Sequence, residues 1–143
     1  MIVCRECVLW IHESERIVLQ ELTDYKFYCF DGHAQCVMVC KERSTGHPKF
    51  YYFDKNWNEL ALAYTSSLLS GKSPISKPQC AEEMFLIAEK LSQGIPHVRI
   101  DLYLIHGKPY FGEMTFFSDS GFDTDLLPET DVQWGKLIRL PNI

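Results

Sequence analysis

This chain is short of several things, and each shortage removes a class of function. No stretch of its 143 residues approaches the ~20 apolar residues of a membrane-spanning helix. The opening MIVCRECVLW lacks a basic start followed by a long apolar run, so it does not read as a secretory signal, and a cytoplasmic location is expected. Basic residues are in deficit: 14 Lys and Arg against 19 Asp and Glu leave a formal net charge of −5. That balance argues against nucleic acid as a partner, since nonspecific binding there needs a basic face. There is no G-x-G-x-x-G and no regular alternation of strand and helix, which excludes a Rossmann domain. No repeat or low-complexity tract is visible.

Zinc-type spacing is also poor. Cys4 and Cys7 form a C-x-x-C, but Cys36 and Cys40 are spaced C-x-x-x-C inside an apolar run with no knuckle glycine. Buried free thiols, which behave as small hydrophobes, are therefore favoured over a metal site or a zinc-binding adaptor. His47, His97 and His106 show no ligand spacing, and surface positions are expected for them.

What the chain does contain is one domain's worth of ordinary globular sequence, 46% hydrophobic and 23% charged, with its aromatics in strand-like runs. Residues 16–22 (RIVLQEL) read as a strand. Residues 25–30 and 34–40 follow as a hairpin across Asp31-Gly32-His33, where glycine offers positive φ. Residues 43–48 are a loop, 49–53 a further strand, and 56–64 a turn leading to an extended segment. After a connection rich in Ser, Gly, Lys and Pro (66–78), residues 81–92 are the clearest helix. Glu82 and Glu83 favour its first turn, Met84, Ile87, Ala88 and Leu91 recur at helical spacing, and Gly94 with Pro96 stops it. Residues 118–128 read as a polar loop and 132–140 as a short closing helix. This order predicts an α+β fold: a mainly antiparallel sheet with helices packed on one face.

The most informative stretch is 98–122, VRIDLYLIHGKPYFGEMTFFSDSGF. It reads as two strands joined by a tight turn at 106–108, with Asp101 on the first and Glu113 on the second. Facing side chains on antiparallel neighbours lie about 5 Å apart, so both carboxylates can grip one hard cation. Oxygen ligands of this kind suit Mg²⁺ shared with substrate phosphates. The alternative is two solvent-facing strand acids.

The runs DYKFYCFDG (24–32), FYYFDKNWN (50–58), VRIDLY and GEMTFFSDSGF, with the closing WGKLIRL, together resemble the ATP-grasp family. The similarity is to its TupA-like branch, named for teichuronopeptide biosynthesis, and it runs from about residue 17 to the C-terminus. The resemblance implies an ATP- and Mg²⁺-dependent site whose metal carboxylates are Asp101 and Glu113, with Thr115, two residues on and on the same face, as a weaker or water-mediated ligand. It implies that Lys26 contacts phosphate or an acyl phosphate, oriented by Asp24, and that Arg43 is a second clamp on phosphate or carboxylate. Gln20 and Glu21 stand where the family borders the adenine and ribose, although LQELTDYKF is a shorter connection than usual there. Ser118, Ser120 and Gly121 would let backbone and hydroxyls approach an acceptor substrate. For Lys26, Arg43 and the Ser118 loop the alternatives are a solvated strand lysine, a solvated loop charge and an ordinary turn. Trp57 is read as packing.

Nothing before Arg16 resembles the upstream nucleotide-enclosing lobe of such enzymes, and residues 1–15 hold no glycine. Residues 1–143 are thus expected to be a single domain, the C-terminal ATP-grasp-like portion. Two functions follow. One is ligase-type chemistry in surface polysaccharide assembly: a carboxylate activated as an acyl phosphate and attacked by an amine, with a nucleotide and a small-molecule or saccharide acceptor as partners. Some members of the branch are called glycosyltransferases. The other is a non-catalytic remnant of the fold, an interaction or dimerisation module forming a homo-oligomer.

Overall fold

Two short turns explain how the strands lie. Asp31 and Gly32 have φ of 49° and 79°, and His106 and Gly107 have φ of 50° and 74°, in a computed structural model that describes residues 23–42, 46–65 and 75–140. Two successive left-handed residues make the two-residue loop whose twist matches flanking antiparallel strands. The first turn joins β1 (Asp24–Phe30) to β2 (His33–Lys41), and the second joins β5 (His97–Ile105) to β6 (Lys108–Thr115). Between them come β3 (Lys49–Phe53), β4 (Glu59–Leu60) and helix α1 (Ala81–Leu91). After β6 a short turn (Ser118–Gly121) precedes helix α2 (Pro128–Gly135).

The strands form one antiparallel sheet in the order β4-β3-β2-β1-β5-β6. The α+β class and the antiparallel sheet expected from the sequence are both present, and the hairpins and β3 fall where they were read. The strand read at 16–22 lies outside the described residues.

Central strand β1 is buried along its whole length. Its odd residues Tyr25, Phe27 and Cys29 pack with Val37, Val39, Val98, Ile100 and Leu102 into a core closed by Met84, Phe85 and Ala88 of α1. Phe27 meets Phe85 edge-on at 5.0 Å between centroids, a favoured aromatic geometry. The buried stripe of α1 is Ala81, Met84, Phe85 and Ala88, shifted from the one read off the sequence, and Leu91 is 38% exposed. Trp57 stacks on Phe53 at 4.6 Å on this same side.

The even residues of β1 face the other way, and here one expectation is corrected. Helices were expected on one face, yet Trp134 of α2 packs on Tyr28 and Phe30, opposite α1. Alternation is the reason: a strand apolar on both sides needs cover on both. The closing helix also starts earlier than expected, at Pro128 rather than 132, because proline's fixed φ and missing N–H suit the first helical position.

Candidate functional site

Alternation along β1 and β5 brings four charged groups onto the sheet face away from α1, and β6 adds a fifth. Asp24 and Lys26 are two apart on β1, Arg99 and Asp101 two apart on β5, and Lys26 sits directly across from Asp101. Asp101 is in turn directly across from Glu113 on β6, and Arg99 is across from Thr115.

The pairing of Asp101 with Glu113 depends on one irregular residue. The tight turn sets Leu102 opposite Phe111, and a regular ladder would then put Gly112 opposite Asp101 and turn Glu113 toward the α1 core beside Ile100. A bulge at this point adds one residue to β6, so Glu113 swings to the Asp101 face while Phe111 and Met114 both still pack on the core. Glycine is required at the bulge. A Cβ at Gly112 would lie 2.8 Å from the Tyr103 ring and 3.0 Å from the Asp101 carbonyl oxygen.

Arg99 ties the face together. Its Nε and Nη2 donate to the two oxygens of Asp101 at 2.8 and 3.0 Å, a bidentate fork. Nη2 also reaches Glu113 Oε1 at 3.3 Å and Thr115 Oγ1 at 3.1 Å, and Nη1 reaches Ser118 Oγ at 3.3 Å. Burial pulls the Arg99 pKa down, but the hydrogen bonds and charge of Asp101 outweigh it and the net displacement is upward. Lys26 is buried, with its ammonium 2.9 Å from Asp24 and in contact with Asp101. Asp24 and Asp101 are almost wholly enclosed, whereas the Glu113 side chain is 58% exposed. The sheet thus offers one open carboxylate beside a closed network.

Of the residues singled out in the sequence, Asp24, Lys26, Asp101, Glu113, Thr115 and Ser118 are brought together here. Gln20, Glu21 and Arg43 lie outside the described residues. Ser118 and Gly121 line a neighbouring cleft; Ser120 lies in the turn between them, where Asp119, Ser120 and Gly121 run consecutively through left-handed φ of 47°, 58° and 82°. Arg99 was missed. Its signal was present, since Arg-x-Asp on a strand shares a face. His97 is also not the surface residue expected: it is half-buried, stacked on Phe30 at 4.4 Å, and its Nδ1 lies 3.0 Å from the Cys29 carbonyl. Burial lowers its pKa, against a smaller opposing effect of that hydrogen bond.

Asp101 and Glu113 are oxygen donors of the type that a Mg²⁺ shared with phosphate takes, with Asp101 engaged by Arg99 and Lys26 and Glu113 the open one. Among the described residues no three His, Cys, Asp or Glu gather to hold a metal, but two carboxylates on one face are what such an ion takes from protein. Charge points the same way: three carboxylates against two cations leave this face net negative, so an added cation is favoured over a bare anion. Cys36 and Cys40 are buried thiols on β2, and burial pushes Cys29 up to about 11 and Cys36 further.

The aromatic half of the same face opens into the cleft, about 840 Å³ in volume, beside Ser118. Among the described residues no helix is long and apolar enough to cross a membrane.

No curated protein and no solved structure matches this chain. A family model described as TupA-like ATPgrasp matches residues 8–139, nearly the whole length, and supports an ATP-dependent, ligase-like domain. ATP-grasp proteins in general bind ATP with Mg²⁺. With a sheet of the expected kind and paired acids on one of its faces, the chain belongs to the TupA-like branch of the ATP-grasp family.

Proposed function

We propose that residues 1–143 act as one domain, the C-terminal portion of a cytoplasmic ATP- and Mg²⁺-dependent ligase-type enzyme of surface polysaccharide assembly. It activates a carboxylate through an acyl phosphate for attack by an acceptor. The observation that carries this reading is the Asp101–Glu113 pair, turned to one face by the Gly112 bulge and bridged by Arg99. A bare triphosphate would meet a net negative surface; bound Mg²⁺ supplies the charge that lets phosphate approach.

This chain's own residues then divide the work. Asp101 and Glu113 would hold the ion, with Thr115 beside them. Lys26 and Asp24 hold Asp101 in place from β1, and Lys26 adds a cation behind the phosphates. Arg99 presently spans the two donors, and a planar guanidinium that can exchange a carboxylate for phosphate oxygens is suited to following the ligand. The Ser118–Gly121 turn carries that geometry to the acceptor side. Gln20, Glu21 and Arg43 complete the nucleotide and carboxylate contacts in this proposal.

Calorimetric titration with MgATP tests it. Asp101→Asn and Glu113→Gln are expected to abolish binding, and Glu113, being exposed, can be changed without threatening the fold. Undiminished MgATP binding by correctly folded Glu113→Gln would refute the assignment.

A non-catalytic association module is the second reading, favoured by Phe117 and Phe122 standing 79% and 83% exposed. Sedimentation showing a dimer unaffected by MgATP would support it; a monomer at high concentration would dismiss it.

A further inference from the structure

One nitrogen of Arg99 stands where a cation shared by the two acids would stand. Its Nη2 lies 3.0 Å from Asp101 Oδ2, 3.3 Å from Glu113 Oε1 and 3.1 Å from Thr115 Oγ1, so the three side chains of the expected ligand set converge on it. That nitrogen has two hydrogens for three acceptors, and the bonds are therefore shared. Nε closes the fork on Asp101 Oδ1 at 2.8 Å, while Lys26 holds Oδ2 as well. Any ion drawing on these oxygens has to displace the guanidinium first.

What displacement costs depends on where the guanidinium can go. It keeps its charge, because arginine is not deprotonated in proteins. The Asp101 side chain is 1% exposed and that of Arg99 14%, so water screens their fork poorly. Among the described residues the remaining hydrogen bond of Arg99 is to the neutral Ser118 hydroxyl at 3.3 Å. Charge balance adds to the cost. Three carboxylates against two cations leave one negative charge, and a divalent ion alone would turn that into one positive charge beside a guanidinium deprived of its anion. Phosphate supplies what is missing, since its oxygens accept a guanidinium fork as a carboxylate does.

We propose that Arg99 is a placeholder cation: it keeps the Asp101–Glu113 site closed to a free divalent ion and yields only when a phosphate oxyanion gives it a new partner. The site then selects a metal–phosphate complex over either part alone. Ion and phosphate each raise the affinity of the other by the same factor, as linkage requires. This regulation rests on the reading of Asp101 and Glu113 as ion donors, and it adds to that reading the state of the site when no phosphate is bound.

Mn²⁺ without nucleotide is the probe, its free concentration read by electron paramagnetic resonance. Arg99→Gln is expected to bind Mn²⁺ about ten-fold more tightly than the parent chain, the size of one charge-assisted contact. The same variant should bind MgATP about ten-fold more weakly by calorimetry. An arginine that merely braced the sheet would lower both affinities. Arg99→Lys keeps the charge without the fork, and its Mn²⁺ affinity should fall between the two. If neither variant folds, the parent chain reports through the Arg99 Nε–H signal in NMR: Mg²⁺ alone should leave it in place, and the same Mg²⁺ with a non-hydrolysable ATP analogue should move it. Equal Mn²⁺ affinity in the parent and folded Arg99→Gln overturns the inference, as does an Nε–H signal that Mg²⁺ alone moves as far. Loss of MgATP binding in Glu113→Gln would then still uphold the ion reading. A gain in Mn²⁺ affinity that survives adding Glu113→Gln to Arg99→Gln would strike the ion reading itself, and this inference with it.

Discussion

The two faces of the sheet share the strands β1 and β5 and are built on opposite principles. On one face Phe27, Cys29, Val98, Ile100 and Leu102 are at most 1% exposed and sealed by α1. On the other, the same strands carry Asp24, Lys26, Arg99 and Asp101, then Tyr28 and Phe30 at the edge of an open cleft. One face is spent on stability by burying apolar area. The other holds charges that cost desolvation energy, which the burial of apolar area alone does not call for. The period of two in a strand lets one segment serve both ends without compromise.

The contrast can be tested from its largest expected effect downward. Phe27→Ala, which empties a filled site against Phe85, should cost about 3–5 kcal/mol in urea denaturation, whereas Phe117→Ala on the open side should change stability by no more than about 0.5 kcal/mol. Equal costs would mean that the open face is packed as the closed one is. Lys26→Met strips a buried cation from between two enclosed carboxylates and should also be expensive, about 3–5 kcal/mol. A smaller loss when Lys26→Met is combined with Asp24→Asn would identify charge rather than packing as the cause.

Gly112→Ala forces a methyl against the Tyr103 ring and a backbone oxygen, for a loss of about 1–3 kcal/mol. Deleting Gly112 should do something different: restore a regular ladder, turn Glu113 toward the core, and abolish MgATP binding. A deletion variant that still binds MgATP would sever the bulge from function. The smallest effect concerns His97. Its pKa is lowered on folding, so the unfolded chain binds the extra proton more readily, and stability is complete above its unperturbed value of 6.5. Stability should fall as pH drops below that value and through the lowered one. In His97→Gln the melting temperature should lose less between pH 7 and pH 5 than in the parent chain; an identical slope would place the titration elsewhere.

Local features were legible in proportion to how local their causes are. Asp31-Gly32 and His106-Gly107 announce their turns because few residues accept positive φ, and β3 and α1 follow from composition and spacing. The start of α2 was misjudged because a proline at the end of a polar loop looks like a breaker, though at a first helical position it is an initiator. Arg99 is harder to read, because a strand arginine faces solvent as readily as a carboxylate until its fork onto Asp101 is seen. His97 reads as a surface group in the sequence, since nothing in its neighbours reveals that Phe30 stacks on it from another strand.

From its residues alone the chain determined an antiparallel α+β sheet, the two acids worth watching, and the family it belongs to, since these rest on periodicity, turn chemistry and motif order. Tertiary structure decided which way those acids point. A single bulged glycine reverses the parity of β6, and parity is settled by cross-strand register and by the packing of Phe111 and Met114 on the core, none of which is a property of a segment read by itself.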